Sequence, residues 1–421
     1  MKRWKTDRRA LLLGLLASAV APAARAAEPK AARAFSPSLW AALDGYFGNE
    51  ISTGQIPGAV VLVQQHGRPL YFETFGRRDA GSPMTPDAIF RLYSMTKPVT
   101  SVAAMMLVED GALRLDDPVA KFIPAFAGAR VGIDRSGGDE HATSEFVPLK
   151  RPISIEDLLR HTSGITYGFY GDDPARRRYA QLDLFDSRDI DNAELADRIA
   201  HLPLAEQPGT LWDYGHSTDV LGRVIEVISG QKLSHFLQTR LFDPLGMVDT
   251  SFYVTDPRKR PRIAEPFSRD RMIGPVIGMH DPLQVRRWEA GGSGLVSTIT
   301  DYARFAQMLL SGGTLDGRRY LQASTIALMT SDHVGPMSGV SRDYYYFPGD
   351  GSGFGLGFAV RTKELASEPG PIGEYRWDGV GGTFFWIDPQ DDMFVIVMMQ
   401  SPPQRVRIEG EVRKIVYGAM E

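Results

Sequence analysis

Ser94 and Lys97 stand three residues apart at the head of an apolar run, residues 91–110, RLYSMTKPVTSVAAMMLVED. On a helix, positions i and i+3 share a face, so the hydroxyl and the amine are side by side. A serine hydroxyl attacks a carbonyl only when a base takes its proton. A lysine stripped of water can lose its own proton and act as that base or as part of a relay. Pro98 fits a first helical turn, and a serine at a helix N-terminus meets the positive end of the dipole. The same spacing recurs at Ser229 and Lys232, in ISGQKL. There Gly230 reads as a C-cap and the dipole has the opposite sign, so Ser229 reads as structural.

Two further stretches have chemistry to offer. Trp212-Asp213-Tyr214-Gly215-His216-Ser217 puts a phenol in a loop just before a helix. A nearby ammonium would favour the phenolate and make Tyr214 a proton shuttle, where the plainer reading is a packed aromatic. His216 is a possible general base or, more simply, a helix-capping or solvent-facing imidazole. Arg376-Trp377-Asp378-Gly379-Val380-Gly381-Gly382-Thr383 enters a strand through glycines. Such glycines allow close approach of a substrate, and a free edge N–H there could join that of a helix-start serine in an oxyanion hole. A β-bulge without chemistry is the alternative.

Other hydrolase and binding signatures are missing. No G-x-S-x-G elbow, His-Glu-x-x-His, Walker loop or dinucleotide fingerprint occurs, so neither a metal nor a cofactor is expected. The chain has no cysteine, which removes thiol chemistry and disulfides. A net charge of −4 argues against a nucleic-acid surface. Residues 1–26 look like an export signal: a basic head through Arg8-Arg9, a short apolar stretch and Ala24-Arg25-Ala26 as a cleavage site. Arg8-Arg9 hints at the twin-arginine route, which makes the mature chain periplasmic or secreted. No other stretch is long and apolar enough to insert stably in a membrane.

The elements that must position these residues follow from periodicity. Strands are expected at 58–65 and 69–75, joined by His66-Gly67-Arg68, and again at 354–360, 376–377, 384–387 and 393–399. Helices are expected at 38–51, 153–160, 217–228, 233–242, 299–310 and 406–419. Residues 128–147 read as an exposed loop, and 172–191 as a charged rim or lid. Strands at both ends and helices between them imply an α+β fold. Residues 36–90 and 290–421 would form one discontinuous α/β lobe. Residues 91–289 would form a helical lobe carrying the nucleophile helix.

Together, Ser94-Met95-Thr96-Lys97, Arg160-His161-Thr162-Ser163-Gly164, Pro208-Gly209-Thr210 with Tyr214-Gly215-His216, Ala290-Gly291-Gly292 and Trp377-Asp378-Gly379 resemble the serine β-lactamase/penicillin-recognising superfamily. Their order and spacing are similar to class C β-lactamases and, most of all, to the family VIII carboxylesterases, over about residues 36–418. The resemblance implies an antiparallel β-sheet flanked by helices, a helical lobe, and a site between them. It implies Ser94 as the acylated nucleophile, Lys97 and Tyr214 as the groups that move its proton, and the backbone N–H groups of Ser94 and Val380 as the oxyanion hole. Trp377, Gly379 and His216 would touch the substrate.

Two departures bear on substrate. Trp377-Asp378-Gly379 stands where β-lactamases and carboxypeptidases carry Lys-Thr-Gly, so the cation that binds a substrate carboxylate is gone. Arg376 should point to the opposite side of its strand from Trp377 and so not replace it. Tyr214-Gly215-His216 likewise lacks the asparagine of Tyr-x-Asn. Both favour a carboxylesterase on small or short-acyl esters over a β-lactamase, a D-amino-acid peptidase or an amidase on small oligomers. A penicillin-binding-like envelope module without catalysis is the non-enzymatic reading. With one lysine beside it, Tyr214 should be less acidified than in relatives with two, and activity should rise toward alkaline pH.

Overall fold

The sheet is built from residues near the two ends of the chain. In the computed structural model, which describes residues 33–36, 38–133, 145–182, 189–273 and 277–420, seven strands form one antiparallel sheet. They are β1 (Gly58–Gln65), β2 (Arg68–Gly76), β3 (Ser352–Phe354), β4 (Ala359–Arg361), β5 (Tyr375–Asp378), β6 (Phe384–Asp388) and β7 (Met393–Met399). Their spatial order is β3-β4-β5-β6-β7-β1-β2. The export-signal segment 1–26 lies outside the described residues, as do 134–144 and 183–188.

Strand alternation explains how one sheet serves two cores. Ala59, Val61 and Val63 of β1 join Val395, Val397 and Met399 of β7 under α1 (Ser38–Ser52) and the C-terminal helix Arg405–Gly418. Val60 and Leu62, with Ile396 and Met398, face the other way. That second core continues without a break into α2 (Thr96–Glu109), α3 (Ser217–Ser229) and α4 (Ile299–Leu310). All seven residues of β7 are buried, as a central strand covered on both faces requires. Among the described residues no helix is long and apolar enough to cross a membrane.

Local signals set several boundaries. Ser154 caps the helix Ile155–Leu159 in a reciprocal capping box with Asp157, a device worth about 1 kcal/mol. Gly230 ends α3 in the left-handed conformation at φ 68°.

Three expectations need correction. The strand expected at 354–360 is two strands, β3 and β4, broken by Gly355-Leu356-Gly357-Phe358. There the chain presses on its neighbours: a Cβ on Gly355 would lie 2.0 Å from the Met329 carbonyl oxygen, and one on Gly357, at φ 99°, 2.4 Å from Ser101 Oγ. Within the expected loop 128–147, residues Arg130–Ile133 pair with Glu145–Pro148. The helix expected at 233–242 is α-helical only over Leu233–Leu237 and then widens into a π-turn at Gln238–Phe242.

Candidate active site

Ser94 sits on a single 3-10 turn, Tyr93–Met95, that feeds into α2. The turn is anchored from three sides. The Leu92 amide donates to Leu295 O at 2.9 Å, Tyr302 Oη donates to Met95 O at 3.0 Å, and Thr96 Oγ1 accepts from the Leu295 amide at 3.1 Å. Tyr93, just before the serine, adopts φ 48°, a left-handed conformation that costs a non-glycine residue about 1–2 kcal/mol. Its hydroxyl accepts from the His280 amide at 3.2 Å, which holds the side chain in place.

The glycines after Trp377 are required by this turn. A Cβ on Gly379 would lie 2.1 Å from Leu92 O, and one on Gly381 2.6 Å from the Tyr93 ring. The β5 exit therefore lies directly against the nucleophile turn. Ser94 and Val380 line the same cavity. Among the described residues, neither amide donates to a backbone carbonyl.

Lys97 is 1 % exposed, and its Nζ has three oxygens around it. They are Gly292 O at 2.9 Å, Ser94 Oγ at 3.2 Å and Tyr167 Oη at 3.3 Å. Burial lowers its pKa from 10.5 to about 7, against the opposing pull of Asp219 and Asp378. Proton counting then assigns the contacts. A neutral amine has two N–H donors and one lone pair, so Gly292 O and Tyr167 Oη take the hydrogens and the lone pair faces the Ser94 hydroxyl. That is the arrangement of a general base.

Tyr214 lies over the same amine, with Lys97 Nζ 4.4 Å from its ring centroid. Its hydroxyl accepts from Trp377 Nε1 at 3.3 Å and interacts with Ser94. The phenolate expectation is overturned. Burial pushes the Tyr214 pKa well above the ordinary phenol value, and the contacts with Ser94 and Trp377 offset only part of it. Tyr214 is a phenol at neutral pH and can give a proton. Its ring rests on His161, 4.8 Å away, and stacks on Trp212 at 5.8 Å.

The remaining expected contacts fall behind these groups. The Trp377 indole turns to Tyr214, while Arg376 points to the other side of β5 and donates to Ser352 Oγ at 3.1 Å. His216 is buried, and its Nδ1 is 2.9 Å from Asp219 Oδ2. The described lining of the cavity includes Val380 but not Trp377, Gly379 or His216. Sequence reasoning missed Tyr167 and the Gly292 carbonyl. Ala290-Gly291-Gly292 was visible as a motif, but nothing local marks one of its carbonyls as a lysine partner. Nothing local marks Tyr167 either.

The cavity above Ser94 holds about 480 Å³ and is lined by Tyr93, Tyr167, Phe169, Tyr170, Phe252 and Trp288 among others. That size and aromatic lining suit an organic molecule with a few polar groups.

Comparisons with known proteins identify the family. The family described as Beta-lactamase matches residues 32–417. Lovastatin esterase of Penicillium rubens is 34% identical over 71% of this chain and 74% of its own length. Esterase EstB of Burkholderia gladioli is 30% identical over 88% of this chain and 93% of its own. The solved structure of EstCE1, a hydrolase with promiscuous acyltransferase activity, is 30% identical, covers 90% of this chain and 99% of its own, and superposes with a TM-score of 0.75. With an α+β fold matched over residues 32–417 and a serine facing a buried amine at its centre, the chain is a serine hydrolase belonging to the beta-lactamase family.

Proposed function

We propose that the protein is an exported carboxylesterase that cleaves small or short-acyl esters through an acyl-enzyme on Ser94. The observation that carries this reading is the buried Lys97 amine, with a pKa near 7, facing Ser94 at 3.2 Å beneath an aromatic cavity. In the first step Ser94 Oγ bonds to the ester carbonyl carbon and its proton passes to Lys97 Nζ. The carbonyl oxygen gains the negative charge and is held by the amides of Ser94 and Val380. The C–O bond to the alcohol then breaks, and the leaving alkoxide takes a proton from Tyr214, which Lys97 replenishes. Water repeats the sequence on the acyl-enzyme with Lys97 again as base. Trp377 orients the Tyr214 hydroxyl, and with Gly379 sets the path of the chain into Val380.

The names of lovastatin esterase and EstB support ester over amide substrates. Tryptophan in place of the carboxylate-binding lysine supports the same choice against β-lactams and D-amino-acid peptides. The test compares turnover of p-nitrophenyl acetate and butyrate with that of nitrocefin and a D-Ala-D-Ala peptide, alongside intact mass and peptide mapping. An acyl adduct on the Ser94 peptide and ester turnover exceeding amide turnover are expected. Faster nitrocefin hydrolysis would reverse the substrate assignment.

A second reading is acyl transfer to an alcohol instead of water. It is favoured by the aromatic lining, which can seat an organic acceptor, and by the promiscuous acyltransferase activity of EstCE1. Adding short alcohols to the assay separates the two: transfer gives a new ester, hydrolysis only the acid. Export rests on residues 1–26 alone. Active enzyme in the periplasmic fraction, lost on replacing Arg8-Arg9 with Lys-Lys, would support the twin-arginine route.

A further inference from the structure

The reaction outlined above uses Ser94, Lys97 and Tyr214 and leaves one buried carboxylate near them without a task. Asp219, in the first turn of α3, is 3 % exposed. Its two oxygens are both engaged. Oδ1 accepts from the Gly292 amide at 3.0 Å, and Oδ2 accepts from His216 Nδ1 at 2.9 Å.

Each of those contacts leads back to the amine. Gly292 O is the 2.9 Å partner of Lys97 Nζ. The His216 ring packs edge-on against the Tyr167 ring at 4.6 Å, and Tyr167 Oη is the 3.3 Å partner of Lys97 Nζ. Both oxygens that take the lysine's hydrogens are thus backed by one carboxylate. The approach leaves no slack: a Cβ on Gly292 would lie 3.0 Å from Asp219 Oδ2. Thr100 Oγ1 donates to Gly291 O at 2.7 Å and ties the same glycine pair to α2.

We propose that Asp219 is a positioning residue for Lys97, holding the Gly292 carbonyl and the Tyr167 phenol so that the amine's lone pair points at Ser94, and supplying the negative charge that sets when the amine gives up its proton. This rests on the acyl-enzyme reading and deepens it.

The charges around Lys97 are few. Asp219 and Asp378 both favour its protonated form, Asp219 the more strongly. Asp378 is itself paired with Arg405. His161 is held neutral by burial, and the Tyr167 and Tyr214 phenols are kept protonated by the same cause. Removing the Asp219 charge must therefore make Lys97 lose its proton at lower pH.

The test measures kcat/KM for p-nitrophenyl butyrate against pH in wild type, Asp219→Asn and Asp219→Ala, with thermal unfolding of each. Asp219→Asn keeps an acceptor for the Gly292 amide and removes the charge. Its acid limb should move down by roughly one pH unit, with kcat falling roughly tenfold and KM little changed. Asp219→Ala should lose a further factor of about ten in kcat. An acid limb in Asp219→Asn that coincides with the wild type would overturn the proposal, since a merely structural role lowers stability without moving it. If Asp219→Asn does not fold, Gly292→Ala decides: its methyl pushes on the carboxylate, so unchanged kcat in that variant also overturns it.

A fluorophosphonate adduct mapped in the wild type keeps the two readings apart. No adduct on Ser94 ends the acyl-enzyme reading, whereas an adduct with an unmoved limb ends only the role of Asp219.

Discussion

The chain carries the same four-residue spacing twice, and the two copies have opposite fates. Ser94 opens the turn before α2, half-buried at the floor of a cavity, with a buried amine beside it. Ser229 closes α3, donates its hydroxyl to Ile225 O at 2.7 Å, and is followed by a left-handed glycine cap. Its Lys232 lies out in solvent, before the helix Leu233–Leu237. The spacing is common to both. What separates them is the end of the helix and the removal of water from one lysine. At the first copy the dipole favours negative charge and burial lowers the Lys97 pKa to about 7.

The comparison is broken most easily at the nucleophile. Ser94→Ala and Lys97→Arg should each lower ester kcat/KM on the order of a thousandfold or more, the second because a guanidinium does not surrender its proton. Ser229→Ala and Lys232→Arg should leave turnover at wild-type level in the same steady-state assay. Equal losses at both copies would end the distinction.

Stability should separate the two lysines next. The Lys97 pKa is lowered from 10.5 to about 7. A depressed lysine pKa in the folded state destabilises it: the penalty is absent above 10.5, grows as pH falls, and is complete below about 7. Its upper size is about 5 kcal/mol, part of which the hydrogen bonds of Lys97 return. Lys97→Met should therefore raise Tm by several degrees at pH 6 and lose that gain toward pH 10, while Lys232→Met changes nothing. Calorimetry across pH reads this directly. With the amine as base, kcat/KM of the wild type should climb with pH through about 7 and then level off.

Two smaller effects sharpen the picture. Trp377→Phe removes the N–H that holds the Tyr214 hydroxyl and should cost about 1 kcal/mol of transition-state stabilisation, near fivefold in kcat. Gly230→Ala places a side chain at φ 68° and should cost about 1 kcal/mol of stability, visible as a lower Tm with kcat unchanged.

Much of the fold was legible because its signals are short-range. The hairpin β1–β2 follows from alternation around His66-Gly67-Arg68, and β7 and α4 fall at the expected residues. The break between β3 and β4 was not legible. Phe354, Leu356 and Phe358 alternate as in a strand, but the chain turns there: Gly357 adopts φ 99°, the Gly355 amide donates to Phe358 O at 2.8 Å, and the Leu356 amide donates to Met329 O, from elsewhere in the chain, at 2.9 Å. The pKa of Tyr214 was misjudged for a related reason. A nearby ammonium can be read from a motif, but the loss of water that outweighs it cannot.

By itself the sequence determined the Ser94–Lys97 face, the caps, the hairpins and the loss of a cation at Trp377. Each depends on neighbours within a few residues or on residue type alone. Tertiary structure alone decided how far the Lys97 amine is stripped of water, because desolvation is a property of everything packed around a group. It also decided the partners of that amine, Tyr167 and Gly292, which lie 70 and 195 positions away in the chain. No periodicity reaches that far, and only the closed core brings them to within 3.3 Å of Nζ.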